Sequence, residues 1–453
     1  MSEHQLTEAA APLEPARASL PTEHAFWYVL AAGQLIVALA VSTSAIDSFR
    51  LPKQIAYRAQ TMALLLVVAF DLIYFRSRHR ARRDIVFWLT AAIAGWAIIT
   101  TLTSTNVAIS RESLITVLCS ITLFTVARRI LPLQYLRAVD VVLAAASINA
   151  ITSVLQLSGL WNPFVLDQAN SGKLAITGFL GNPSDVSSTL LGPALLAVAL
   201  ALVVAGWRRV LYAVVALVLL AAIVACQTLT TLGAVTVGLV ALAVMVSPRR
   251  AFGWGLAATF MLILLVATYA PLKARVSAVR DIARAGRYND MVSGRLNPSI
   301  AAWEMFKDHP VFGVGPGNFH WQYFPYKLEI ARGYPAAMVD TDTYGFAENF
   351  AEAHNDHVQT LAESGLPGYA LMLTSLVVVG SYSRGTSRQT DLPSAASRDV
   401  VVNQRRLARL LAFPFALSFG VLCLGQFPLQ LAAATNSYIF ITALIVGWAD
   451  VTD

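Results

Sequence analysis

Charge is scarce in this chain. Asp, Glu, Lys and Arg make up 13% of its 453 residues, where a soluble domain carries about 25%. Apolar residues fill the gap at 57% of the total. They come in blocks of roughly 18–25, the length that crosses a bilayer. A soluble core of this kind is excluded, and the chain reads as a polytopic membrane protein. Cysteine is rarer still: Cys119, Cys226 and Cys423 fall in three separate apolar blocks. No CxxC pair and no disulfide framework can be drawn from them, so they read as small apolar fillers. No internal repeat is visible, which disfavours a transporter built from two matched halves. No small-residue cleavage site follows the first apolar block, so it reads as a retained helix rather than a removed leader. A polar tail over 1–25, rich in Ala, Glu and Pro, precedes it and is expected to be disordered.

The blocks themselves set the topology. Twelve spans are expected, near 26–46, 58–75, 84–103, 113–131, 136–157, 185–205, 209–226, 229–247, 252–271, 366–382, 408–426 and 430–449. With the N-terminus inside, the inner segments hold Arg76 to Arg83, Arg128, Arg129, Arg137, Arg208, Arg209, Arg249, Arg250 and a basic run from Arg384 to Arg409. The short outer loops hold only Arg50, Lys53, Arg58, Arg111 and Lys173. This bias places both termini in the cytoplasm and the long connection 272–365 outside, between spans nine and ten. Residues 383–407, rich in Ser, Arg and Thr, read as a cytoplasmic linker, leaving spans one to nine over 26–271 and the last three within 366–453. The net charge of +7 therefore reflects orientation and does not point to a nucleic-acid partner.

The long outer loop concentrates His309, His320, His354 and His357. From Lys273 to Lys307 it is basic, and from Asp308 to Glu363 acidic, so one part could hold a phosphate-bearing group and the other face a hydroxyl-rich partner. Pro298–Lys307 reads as a short helix with Arg295 just before it and His309-Pro310 ending it. GVGPGN (Gly313–Asn318) lacks dinucleotide-fingerprint spacing and reads as a tight turn bringing backbone close to another surface. Phe319, Trp321, Tyr323, Phe324 and Tyr326 follow, suited equally to stacking on sugars and to an interfacial aromatic belt. Asp340 and Asp342 form a lone DxD, a weak signal for a hard cation. Glu348, Glu352 and Asp356 are spaced by four and would share a helix face, and His354 and His357, three apart, another. HNDH is not the HExxH of zinc enzymes. His354 is either structural or a base for an attacking hydroxyl.

Together, the run from Arg295 through HPVFGVGPGNF, the stretch AHNDHVQTLAESGLPG and the element GFLGNPSDVSSTLLGPALL (Gly178–Leu196) resemble the bacterial O-antigen ligase and O-antigen polymerase superfamily. The resemblance implies an all-α membrane fold of the GT-C kind. It implies transfer of a glycan from undecaprenyl pyrophosphate to a hydroxyl of lipid A–core, or of a second lipid-linked glycan, outside the cytoplasmic (inner) membrane. No cofactor and no metal are implied. His354 matches the family's functional histidine and Arg295 its loop arginine. The family also carries an arginine where this chain has Leu232. Arg284, Arg287 or Arg332 would then have to help hold the pyrophosphate. Asn355, Asp356, Glu363, His320, Trp321 and Tyr323 are the expected supporting or acceptor-binding groups. The implied chemistry is metal-independent and inverting: Arg295 stabilises charge growing on the leaving pyrophosphate, and His354 orients or deprotonates the acceptor.

The alternatives are a twelve-span transporter or lipid-linked glycan flippase, and a non-catalytic scaffold. A transporter predicts charged or broken helices at mid-membrane depth, whereas Asp71, Asp140 and Asp185 lie near span ends. The orientation is open to direct test. In a cysteine-free background, His320→Cys should react with an impermeant maleimide in intact cells, and Ser387→Cys only after the membrane is opened.

Overall fold

The computed structural model describes residues 21–75, 83–164, 175–335, 349–384 and 395–450, and every regular element among them is helical. In chain order these are α1 (Pro21–Leu39), α2 (Arg50–Phe70), α3 (Ile85–Leu102), α4 (Val107–Ile130), α5 (Tyr135–Leu157), α6 (Pro183–Val203), α7 (Trp207–Ala225), α8 (Leu229–Val246), α9 (Ala251–Thr268), α10 (Ala270–Arg284), α11 (Tyr288–Met291), α12 (Leu296–Asp308), α13 (Phe319–Gly333), α14 (Asp356–Ser381), α15 (Ala395–Leu422) and α16 (Ala432–Asp450). Each expected span overlaps one of α1–α9 or α14–α16. Among the described residues, eight stretches are long and apolar enough to cross a membrane, and one of them, Val107–Leu157, contains both α4 and α5. The chain is an all-helical polytopic membrane protein.

Helix boundaries depart from the expected spans where packing extends a helix beyond its apolar block. α1 starts at Pro21, inside the expected tail, because Phe26 and Trp27 are buried against the bundle. α15 starts at Ala395, so the described part of the expected linker is helix; buried Gln404 anchors it by donating to Pro132 O at 3.1 Å. α14 starts at Asp356, ten residues before the expected span. The DxD pair and Glu348 lie outside the described residues.

α6 runs through the centre. It is apolar all round, as a helix enclosed by others must be: 83% of its span is buried, against 22% for α3 and 17% for α14 at the rim. It packs on α5, α7, α8, α15 and α16. Lipid supplies no hydrophobic drive between helices, so close approach and polar cross-links hold such a bundle. Here Tyr438 donates to Ser188 O at 2.9 Å, Ser187 and Thr231 bond hydroxyl to hydroxyl at 3.0 Å, and Gln34 donates to Ser437 at 3.0 Å.

The segment between α9 and α14 is fastened by backbone. α14 is broken at Gly365, whose φ of +65° and ψ of −173° are non-helical. The freed carbonyls of Ala362 and Glu363 accept from Val314 and Gly315 at 2.8 and 3.1 Å, and Leu366 N donates to Pro310 O at 2.9 Å. GVGPGN is thus the close-approach turn its composition predicts. A Cβ on Gly313 (φ +69°) would lie 2.3 Å from the Glu363 carbonyl carbon. Buried Asn318 ties the turn's other side to Ser104 and Ser110 at 2.8 and 2.7 Å. Positive φ alone costs an alanine about 1–2 kcal/mol, and backbone cannot yield to the clash. Gly313→Ala should therefore sharply lower the unfolding temperature of the purified protein, while Gly95→Ala, on open space in α3, should leave it within a degree or two.

Candidate active site

The N-terminal ends of α2, α6, α12 and α14 converge beside the turn between α15 and α16. Asn182 caps α6 by accepting from Asp185 N at 2.9 Å, and Pro183 opens the helix, which sets Ser184 and Asp185 in its first turn. Asp47 accepts from Phe49 N and Arg50 N at 3.0 and 2.8 Å, fixing the start of α2. From there Arg50 reaches Glu352 Oε1 at 2.9 Å and Asp185 Oδ2 at 3.4 Å, with its guanidinium 5.4 Å from the centre of the Phe427 ring. Arg295 precedes α12 after a turn through Ser293 and Gly294, both at positive φ. It donates to Gly425 O at 3.3 Å and Ser184 Oγ at 3.4 Å.

His354 completes the cluster. Its φ is +54°, a conformation rare for residues with a side chain. The strain is held from both flanks. Ala353 donates to Gln359 at 2.9 Å and accepts from Ser299 at 3.1 Å, and Asn355 caps α14 by accepting from His357 N and Val358 N at 3.0 and 3.3 Å. The imidazole meets the Phe427 ring edge-on at 4.6 Å and the Phe350 ring at 5.7 Å. Its Nδ1 is buried and makes no hydrogen bond within the described residues. Burial, then the charges of Arg295 and Arg50, push its pKa from 6.5 down to about 3, so the ring is neutral. Burial likewise raises the Glu352 carboxyl against the pull of Arg50, and lowers Arg295 against the pull of Asp185.

The capping residue also corrects the face assignments. Because Asn355 starts the helix, Glu352 lies outside it and shares no face with Asp356. His354 likewise shares none with His357, which bonds Gly420 O at 2.9 Å. Asp356 is fully buried and points inward: Leu429 N donates to its carboxylate at 3.0 Å, fastening α14 to the turn that carries Gly425 and Phe427. Buried Glu363 accepts from Phe319 N at 3.3 Å and Gln359 at 3.2 Å. Both are struts beneath His354 and are inaccessible to an acceptor. Tyr323 is buried and packs on Phe350, 5.8 Å between rings, which backs His354. His320 and Trp321 are exposed on α13. Arg284, Arg287 and Arg332 are exposed too. Arg287 pairs with Asp290, and among the described residues none of these three arginines hydrogen-bonds to the cluster. Leu232 is buried in the first turn of α8, so that helix brings no cation at this position.

The arrangement joins two guanidinium groups, two carboxylates and a neutral imidazole whose ring nitrogens make no hydrogen bond among the described residues. Residues 214–373 match the family model described as O-antigen ligase. Over that segment the chain is similar to the O-antigen ligase family. No curated protein matches this sequence. The matched segment contains Arg295, Glu352, His354, Asp356 and Glu363, whereas Arg50 and Asp185 come from outside it. From the sequence alone Arg50 counts only among the short-loop charges that set orientation, and Asp185 only as a residue near a span end.

The neutral, buried state of His354 has a stability consequence. Below its ordinary pKa of 6.5 the unfolded chain takes up a proton that the folded site refuses. Stability should therefore fall as pH drops from about 6.5 toward 3, by at most about 1.4 kcal/mol per pH unit from this group. Thermal unfolding across that range should show the decline, and His354→Gln should flatten it.

Proposed function

We propose that this protein is a membrane glycosyltransferase of the O-antigen ligase or polysaccharide polymerase type. In this reading it moves a glycan from undecaprenyl pyrophosphate to an acceptor hydroxyl on the outer face of the cytoplasmic membrane. The topology has twelve spans, both termini inside and 272–365 outside. The observation that carries the reading is the pairing, in one cluster, of the half-buried Arg295 guanidinium with the half-buried His354 imidazole, which makes no hydrogen bond among the described residues. An anion and a hydroxyl are the two groups those atoms complement, and a lipid-linked glycan with its acceptor supplies both.

The acceptor oxygen attacks the anomeric carbon from the face opposite the pyrophosphate, which inverts that centre. The carbon–oxygen bond to the pyrophosphate breaks, and its electron pair stays on the phosphate oxygen. Arg295 meets the charge that develops there through charge-assisted hydrogen bonds. The hydroxyl proton passes to His354 and on to solvent. An imidazole with a pKa near 3 is a weak base. A bound pyrophosphate offsets the positive charge of its arginine neighbours and so raises its basicity. A hydroxyl bonding to an oxocarbenium-like carbon also becomes acidic as the bond forms, so a weak, well-placed base suffices.

The purified protein, given a lipid-linked oligosaccharide alone, should lengthen it if it is a polymerase. If it is a ligase it should form a new conjugate only when lipid A–core is added. No product in either tube counts against the reading. In the active format, Arg295→Ala should lower transfer by about 10²–10³ and His354→Ala by about 10²–10⁴, with folded yield unchanged; full activity in either variant removes that residue from the mechanism.

A further inference from the structure

Arg50 has features that a purely structural ion pair does not need. Its side chain is 38% exposed, while its partners Asp185 and Glu352 are 4% and 17% exposed. The charge of this cluster therefore opens outward through Arg50. Its two contacts are also unequal. The bond to Glu352 is 2.9 Å and the one to Asp185 3.4 Å, near the limit at which such a contact still counts as a hydrogen bond. A guanidinium carries further N–H donors beyond those two. Ser184 and Asp185, adjacent in the first turn of α6, bond Arg295 and Arg50 respectively, so the two guanidinium groups flank one helix end. Both also act on His354, whose ring shares Phe427 with Arg50.

We infer that Arg50 is a second donor-binding arginine, which gives up its long contact to Asp185 and, with Arg295, grips the pyrophosphate of a lipid-linked donor. Glu352 keeps its shorter bond and aims the guanidinium. The breaking glycosidic bond leaves its electron pair, and one added negative charge, on the pyrophosphate oxygen that the two arginines face. The inference rests on the proposed transfer reaction and names a group outside the segment that matches the family model.

The test uses the full-length protein in lipid nanodiscs. Farnesyl diphosphate serves as a short polyprenyl pyrophosphate probe, with binding read by tryptophan fluorescence and transfer measured as above. Arg50→Gln keeps a donor for Glu352 and removes the charge. It should weaken probe binding at least about tenfold and lower kcat/KM for the donor by about 10², with the acceptor KM unchanged. Arg50→Ala should do the same. Arg58→Ala, on the same helix and paired with exposed Glu112, should match the unmodified protein. Thermal unfolding of each variant separates lost binding from lost fold, and Arg50→Gln carries the test if Arg50→Ala does not fold. Probe binding by folded Arg50→Gln equal to that of the unmodified protein overturns the role of Arg50 and leaves the transferase reading standing. If the unmodified protein neither binds the probe nor transfers glycan, the transferase reading falls and the inference falls with it.

Discussion

Two carboxylates at the polar end of this helix bundle, Asp185 and Glu352, are largely taken out of water, and an ion so placed survives only with a partner. Arg50 partners both. Its guanidinium links the start of α2, the start of the central helix α6 and the segment leading into α14. Removing that charge would leave two desolvated anions facing each other across the site. Phe427 lies against Arg50 on one side and His354 on the other, which carries the geometry from the ion pair to the imidazole.

Backbone pairing does the equivalent work for the segment between α9 and α14. A helix broken at Gly365 frees carbonyls that need donors, and the turn after α12 supplies them from Val314 and Gly315. The positive-φ glycines on both sides let the two backbones touch. From that contact, α12 holds Arg295 at its head, Asn355 caps α14, and Glu363 and Gln359 in the first half of that helix form a chain of bonds ending at Ala353. His354 is the next residue. Its left-handed backbone is thus over-determined by neighbours, the usual condition under which strain persists at a functional position.

The electrostatics match the proposed task. The imidazole is neutral because burial and two cations disfavour its protonation, while Arg50 is balanced by the carboxylates of Asp185 and Glu352. Such a site is poised for a ligand that is anionic at one end and hydroxylated at the other. The carboxylates expected to touch the acceptor, Asp356 and Glu363, instead turn inward onto backbone amides, and their removal would act through the placement of His354.

The helices could be read from residue order because lipid demands long apolar blocks and internally satisfied backbone, and those blocks are visible locally. The same holds for the glycine turn and for Arg295 ahead of its helix, whereas AHNDH by itself leaves His354 open between a structural residue and a base, and only the family resemblance singles it out. Helix ends were less legible: α14 and α15 extend into polar sequence because Asn355 caps one and Gln404 anchors the other, contacts that an apolar block does not reveal. The membership of the site was decided only by folding. Arg50 meets Asp185 across 135 residues and Glu352 across 302, and no periodicity links positions so far apart. For the same reason Arg284, Arg287 and Arg332, nearer to His354 in the chain, end up on the surface. A desolvated charge selects its partner by distance in space, and that distance exists only once α2, α6 and the segment between α9 and α14 have packed.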